Sequence, residues 1–107
     1  GRFDLAFASW GTISWLPDIG AWARGLAHLL RSGGAFAFAD CHPVAQVFDG
    51  WDDGRPGWAF PYFARQPIPF EDAVDYADGA PIAASATITH LHPLADILGA
   101  LAGAGFR

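Results

Sequence analysis

The side chains best suited to chemistry in the first half of the chain follow an apolar run. Residues 35–39 (AFAFA) lead directly into Asp40, Cys41 and His42. An imidazole at such a position could take a proton from a hydroxyl or amine of a bound molecule. It could equally line a pocket or bond to nearby backbone. We therefore treat Asp40 and His42 as candidate substrate-binding residues, and His42 as the candidate catalytic base.

Two further histidines, His90 and His92, alternate along a run with strand character. Side chains two residues apart on a strand face the same way. The pair invites a metal-binding interpretation, with residues 40–42 as further ligands. Without a defined third ligand this signal is weak, and we expect no metal. His92, which directly precedes Pro93, is more simply interpreted as a helix-capping or substrate-pocket residue.

Two strands and a helix would position these groups. Residues 3–9 (FDLAFAS) and 35–39 have the pattern of strands buried on both faces. Asp18, after Pro17, predicts a capped helix start, and Ser32-Gly33-Gly34 predicts the helix end. An apolar stripe at spacings of three and four supports the helix. Its members are Ile19, Trp22, Leu26, Leu29 and Leu30. Residues 10–15 predict a loop or a single helical turn.

A strand, a helix and a strand within about 40 residues predict one βαβ unit with parallel strands. Parallel strands end on the same edge of a sheet. Ser9-Trp10 and residues 40–42 should therefore emerge side by side. Ligands of open α/β sheets bind in the crevice outside such strand ends. Chain order alone thus predicts a binding site at this edge.

The stretch 43–85 breaks this pattern with many prolines and aromatic residues. It is too long for an ordinary connection, so we expect an insertion with its own extended segments. Residues 58–63 and 84–91 are predicted to pair as antiparallel strands. A final helix should have Pro93 at its first position and end near Gly103.

The order of these signals resembles a known family. Phe3-Asp4, then Leu16-Pro17-Asp18, then Arg31-Ser32-Gly33-Gly34 is similar to the second half of class I S-adenosylmethionine-dependent methyltransferases. His42-Pro43 resembles a subgroup that acts on small molecules. Weaker similarities lie at Tyr62-Phe63 and Tyr76-Ala77-Asp78, and the end of the chain, from His92-Pro93-Leu94 to Ala104-Gly105-Phe106, is similar too.

The resemblance implies a partial Rossmann-like, doubly wound α/β fold. Residues 1–42 would form a βαβ half, 43–85 an inserted lid with an aromatic core, and 86–107 the return to the main unit. The methionine end of S-adenosylmethionine would lie against Ala8, Ser9 and Trp10, largely through backbone. For Trp10, a plug at the sheet edge is the alternative. Trp15 would wall the acceptor pocket or belong to the core.

The chain departs from the family in one important respect. The G-x-G-x-G loop and the ribose-binding acid of the family would precede residue 1, and residues 99–105 end a helix instead of joining a strand to one. Ser32 stands where proline is usual, and Thr87 and Thr89 stand where aromatic residues are frequent. We expect a domain truncated at both ends that is inactive by itself.

Composition excludes several classes of protein. The net charge is −5 and all six cations are arginines. A nucleic-acid partner is therefore not expected, because it requires a basic face. The missing lysine also excludes a Schiff base. A single cysteine and the lack of any apolar run of about 18 residues favour a cytoplasmic protein without a membrane segment.

Two other functions stay open at this stage. One is a metal-dependent hydrolase that uses His42, His90 and His92. The other is a binding module without catalytic activity. The partner expected in the favoured interpretation is a small-molecule methyl acceptor.

Overall fold

A computed structural model of the 107-residue chain describes residues 1–71, 73–75 and 77–107, with only the backbone of Trp51. The described part is a mixed α/β fold with short strands and three α-helices. Its elements are β1 (Phe3–Ala8), a 3-10 turn (Ile13–Trp15), α1 (Ile19–Leu29), β2 (Leu30–Phe38), α2 (Val44–Val47), β3 (Gly50–Asp52), β4 (Arg55–Gly57), β5 (Ile68–Phe70), β6 (Thr87–Thr89) and α3 (Leu94–Gly103). The similarity at Tyr76 lies outside the described residues.

Strands β1 and β2 pair in parallel, which confirms the predicted βαβ unit. The turn at Ile13–Trp15 also confirms the single helical turn expected there. Helix α1 begins where the sequence predicts, because the Asp18 carboxylate accepts a hydrogen bond from the Ala21 backbone N–H at 2.8 Å. This bond satisfies one of the donors that a helix start leaves free.

The predicted end of α1 at residues 32–34 is wrong. The helix stops at Leu29, and β2 begins at Leu30, which is buried and pairs with Phe3. The next pair of partners is Leu5 with Ala35, so the intervening residues of β2 bulge out of the ladder. Gly33 supplies the positive φ of 77° within that bulge. Burial of Leu30 against the strand thus prevails over the local glycine signal.

The prediction that both strands are buried on both faces is also wrong. One face of the sheet is covered, since Trp22 of α1 packs edge-on against Phe36 and lies 5.5 Å from Phe38 between ring centroids. The opposite face is exposed to solvent and is called the bare face below. On it, the exposed fractions are 56% for Phe3, 61% for Leu5 and 68% for Phe7. The described part of the chain therefore supplies one helical layer, where a buried parallel sheet has two.

Helix α3 packs on α1 and completes this single layer. It covers the predicted stretch and ends at Gly103, but Pro93 is its capping residue and not its first helical residue. Among the residues whose side chains are described, the buried apolar ones are few: Ile13, Ala23, Leu30, Val47, Pro93 and Ile97. The radius of gyration is 16.3 Å, against about 13 Å for a compact chain of this size.

Segment 43–85 contains short pairings that differ from the prediction. Residues 58–63 do not pair with 84–91 as strands. Instead β5 pairs antiparallel with β6, so residues 87–89 take a partner further along the chain. Strands β3 and β4 form a hairpin whose turn residues, Asp53 and Gly54, both have positive φ.

The aromatic residues described in this segment contact one another in pairs, but several are exposed and do not belong to a buried core. Trp58 is 80% exposed, although its ring lies 5.0 Å from that of Phe48, and Phe63 is exposed as well. Phe60 and Tyr62 are half-buried, and the Phe60 ring packs edge-on against Phe70 at 5.8 Å between centroids. Only some of the aromatic side chains are thus available at the surface.

Candidate functional site

The carboxyl ends of β1 and β2 meet, as the sequence predicts. The Ala39 N–H donates to the Ala8 carbonyl at 3.0 Å, which extends the pairing beyond the strands. One step further, the Gly11 N–H donates to Asp40 Oδ1 at 2.9 Å. The loop after β1 and the loop after β2 are therefore joined at this edge. Trp10 and residues 41–42 lie next to the joined positions.

The loop after β1 is held by its own hydroxyl groups. The Thr12 hydroxyl donates to the Ser9 carbonyl, and the Ser14 hydroxyl donates to the Gly11 carbonyl at 3.1 Å. Gly11 has a φ of 78°, a conformation that residues with a Cβ rarely adopt. Trp10 is 70% exposed, so the interpretation that its ring plugs the sheet edge is wrong. Its role toward a ligand stays a prediction.

Asp40 is half-buried and bonds to backbone. Its Oδ1 accepts from the Gly11 N–H and also from the Cys41 N–H at 2.8 Å. Its Oδ2 is buried, and no group among the described residues bonds to it.

His42 is exposed and its ring bonds to nearby backbone. Nδ1 accepts a hydrogen bond from the Val44 N–H at 3.1 Å. In a neutral imidazole, an accepting Nδ1 leaves the proton on Nε2. The nitrogen that faces solvent is then a donor. To act as a base toward a ligand, His42 would first have to release Val44 or exchange its ring proton.

Trp15 and His92 lie at the far end of the same loop. Trp15 is 59% exposed, so it is not a core residue. His92 Nε2 lies 2.7 Å from the Leu16 carbonyl and therefore carries its proton. His92 does not cap α3. The Tyr62 hydroxyl takes that role, since it accepts from the Leu94 N–H at 3.0 Å. In the sequence, Tyr62 carries only a weak family similarity and no signal for this capping role.

His92 belongs to a small polar pocket instead of the strand edge. The pocket has a volume of about 280 Å³, and its polar lining side chains are Asp18, Arg65, Gln66, His90, His92 and Asp96. Arg65 and Asp96 form an ion pair across it. Neither Trp10 nor Asp40 nor His42 lines this pocket. The structure thus separates His92 from the other candidate substrate-binding residues.

The described residues contain no group of three His, Cys, Asp or Glu side chains that could hold a metal ion. His90 and His92 do face the same way, with near-parallel rings 6.5 Å apart. His42, however, does not join them in such a group. The metal-dependent alternative therefore gains no support from the geometry.

A second concavity is larger than this polar pocket. It measures about 1060 Å³, and its lining includes the apolar side chains of Phe36, Leu101 and Phe106. It opens beside the bulge of β2 and the end of α3. None of the candidate site residues lines it.

Comparisons with protein-family models, with curated proteins and with solved structures found no match for this chain. Among the described residues, no helix has both the length and the apolar character that crossing a bilayer requires.

Proposed function

We propose that this chain is part of a class I S-adenosylmethionine-dependent methyltransferase that modifies a small molecule. The observation that carries the proposal is the meeting of the carboxyl ends of β1 and β2, with Ala8 and Asp40 at the junction. Ligands of doubly wound sheets bind at such an edge. The sequence order described above supplies the identity of the cofactor.

The bare face of the sheet supports a larger, doubly wound arrangement. Phe3, Leu5 and Phe7 point away from α1 and are more than half exposed, and β1 pairs only with β2 among the described strands. Parallel sheets normally have helices on both faces. In the proposal, a further part of the enzyme covers this face and extends the sheet beyond β1. It also supplies the glycine-rich loop and the ribose-binding acid, so the 107-residue chain has no activity by itself.

In the proposed enzyme, the loop after β1 receives the methionine end of S-adenosylmethionine at Ala8, Ser9 and Trp10. The cofactor supplies a methyl group on a sulfonium, which leaves as a neutral thioether. The residues of this chain need only align the acceptor atom with that methyl group and exclude water, because alignment is the main requirement. The open edge and the exposed ring of Trp10 are compatible with a ligand there.

The acceptor would lie between the loops after β1 and β2, near Trp15, Asp40 and His42, whereas His92 lines the separate polar pocket. His42 presents Nε2–H in the tautomer described above. Its first role is therefore to orient an acceptor oxygen or nitrogen by donating a hydrogen bond. Removal of the acceptor proton by His42 requires the other tautomer.

The test compares two glycine variants in the protein translated together with its upstream coding region. That region is expected to contain a strand, a G-x-G-x-G loop, a helix and an acid at the end of the next strand. Gly11 and Gly54 have φ values of 78° and 74°, and a Cβ would meet nothing within 4 Å at either position. Both Gly11→Ala and Gly54→Ala therefore introduce backbone strain without a clash.

Gly11→Ala should weaken binding of S-adenosylmethionine about tenfold, because the strained loop relaxes in the free protein and binding must restore its conformation at a cost of about 1.4 kcal/mol. Gly54→Ala, in the β3–β4 turn, should leave the affinity within about twofold. Isothermal titration calorimetry measures both. An upstream region without the glycine loop, or equal losses in the two variants, would contradict the proposal.

A further inference from the structure

We infer that Asp40 is a positioning residue that fastens the loop after β1 to the loop after β2. Its purpose rests on the proposed function, in which the first loop holds the cofactor and the second holds the acceptor. Its existence rests only on the bonds of the Asp40 side chain. The sequence had suggested a direct contact between Asp40 and the substrate.

One oxygen of Asp40 serves both loops. Oδ1 accepts from the Gly11 N–H at 2.9 Å and from the Cys41 N–H at 2.8 Å. The first bond spans 29 residues of sequence, whereas the second is local. Hydrogen bonds from backbone N–H groups to a carboxylate are stronger than bonds between neutral groups. The Asp40 carboxylate is thus well suited to hold two loops that the strand ladder no longer joins.

The conformation of Gly11 shows why such a link is needed. The ladder between the strands ends with the bond from Ala39 to Ala8, and Gly11 then turns with a positive φ. Trp10, between these points, is largely exposed and has little packing to fix it. The hydroxyl bonds of Thr12 and Ser14 hold this loop internally, and the bond from Gly11 to Asp40 ties it to the loop after β2.

The two carboxylate oxygens of Asp40 differ in their hydrogen bonds. Oδ2 is buried without a hydrogen bond from the described residues. Such an atom costs free energy of folding. Oδ1, in contrast, accepts two hydrogen bonds, so the side-chain link between the two loops depends on this one oxygen.

The experiment measures amide hydrogen exchange by NMR in the 107-residue chain without cofactor. In the wild-type chain, the Gly11 and Cys41 amides should exchange about tenfold slower than those of Trp10 and His42. Asp40→Ala should remove most of this protection. Asp40→Asn retains an oxygen acceptor but loses the charge, so its protection should lie between that of Asp40→Ala and that of the wild type.

Asp49→Ala is the matched control, because it removes a carboxylate from an exposed position outside the two loops. This variant should leave the exchange rates of the Gly11 and Cys41 amides unchanged. The Ala23 amide in α1 reports global opening, so a general loss of stability in Asp40→Ala is recognised by faster exchange there too. If Asp40→Ala does not fold, the inference is tested by the protection of the Gly11 and Cys41 amides in the wild-type chain and in Asp40→Asn.

Two results would overturn the inference. The first is equal exchange of Gly11 and Trp10 in the wild-type chain. The second is an Asp40→Asn variant as unprotected as Asp40→Ala, which would show that the acceptor geometry is not what matters. Because no cofactor is present, neither result depends on whether the chain belongs to a methyltransferase.

Discussion

The hydroxyl of Tyr62 accepts a hydrogen bond from the backbone N–H of Leu94 at 3.0 Å, so a side chain of segment 43–85 caps helix α3. Pro93, the capping residue by position, has no side chain able to do so. This contact fixes the start of the helix to a segment more than thirty residues away in sequence. The contact therefore links segment 43–85 to the layer formed by α1 and α3.

Replacing Tyr62 with Phe should therefore destabilise the chain by about 1 kcal/mol, the usual effect of losing a helix cap. The ring and its edge-on contact with Phe63 at 4.9 Å are kept, so only the hydroxyl is tested. The midpoint of thermal unfolding, followed by circular dichroism, should fall by about 4–8 °C. An unchanged midpoint would mean that the Leu94 N–H finds water instead.

The cap of α1 gives a second test. Asp18→Ala should lower the free energy of unfolding by about 1 kcal/mol, whereas Asp18→Asn should stay close to wild type, since both Asp and Asn accept from the Ala21 N–H. The ion pair of Asp18 with Arg24 is long, at 4.0 Å, and exposed, so its loss should add little. Urea unfolding of both variants measures this. Equal losses in the two would assign the effect to charge and not to capping.

Replacement of Trp22 or of Trp58 by Ala should lower the free energy of unfolding by different amounts. Trp22 packs on Phe36 and Phe38, and Trp22→Ala should cost about 3 kcal/mol, enough to unfold a marginal chain. Trp58 is mostly exposed, and Trp58→Ala should cost less than about 1 kcal/mol. Near-ultraviolet circular dichroism and urea unfolding compare them. The reverse order would show that the sheet is not covered by α1.

The exposed apolar face of β1 should promote self-association of the chain and binding of apolar dyes. Phe7→Thr should reduce binding of an apolar dye and self-association without loss of stability beyond about 0.5 kcal/mol, because the ring is exposed. Phe36→Thr is the matched change on the covered face, where Phe36 lies 5.8 Å from Phe106 between ring centroids. That variant should unfold more easily. Analytical ultracentrifugation with dye fluorescence distinguishes the two.

The tautomers of two histidines can be read directly. His42 accepts at Nδ1 and His92 donates from Nε2, so both should carry the proton on Nε2 when neutral. Long-range nitrogen–proton NMR correlation spectra report this for each ring. His28, exposed near the end of α1, serves as a reference without such a constraint. A proton on Nδ1 of His42 would restore it as a ready base toward an acceptor.

Local signals in the sequence determined β1, the start of α1, the parallel pair and the extent of α3. Each depends on residues close to one another: an apolar run, the cap at Asp18, the helical stripe before Gly103. The junction of the two strand ends also followed from chain order, because parallel strands must end on one edge.

Tertiary structure decided the rest. Leu30 belongs to β2 and not to α1 because it is buried in the strand. Residues 87–89 pair with residues 68–70 and not with residues 58–63. The same holds for Asp40, whose second bond reaches Gly11 across the sheet, and for the bare face at Phe7. Burial and long-range hydrogen bonds depend on what lies nearby in space, and a local pattern carries no information about residues that are distant in sequence.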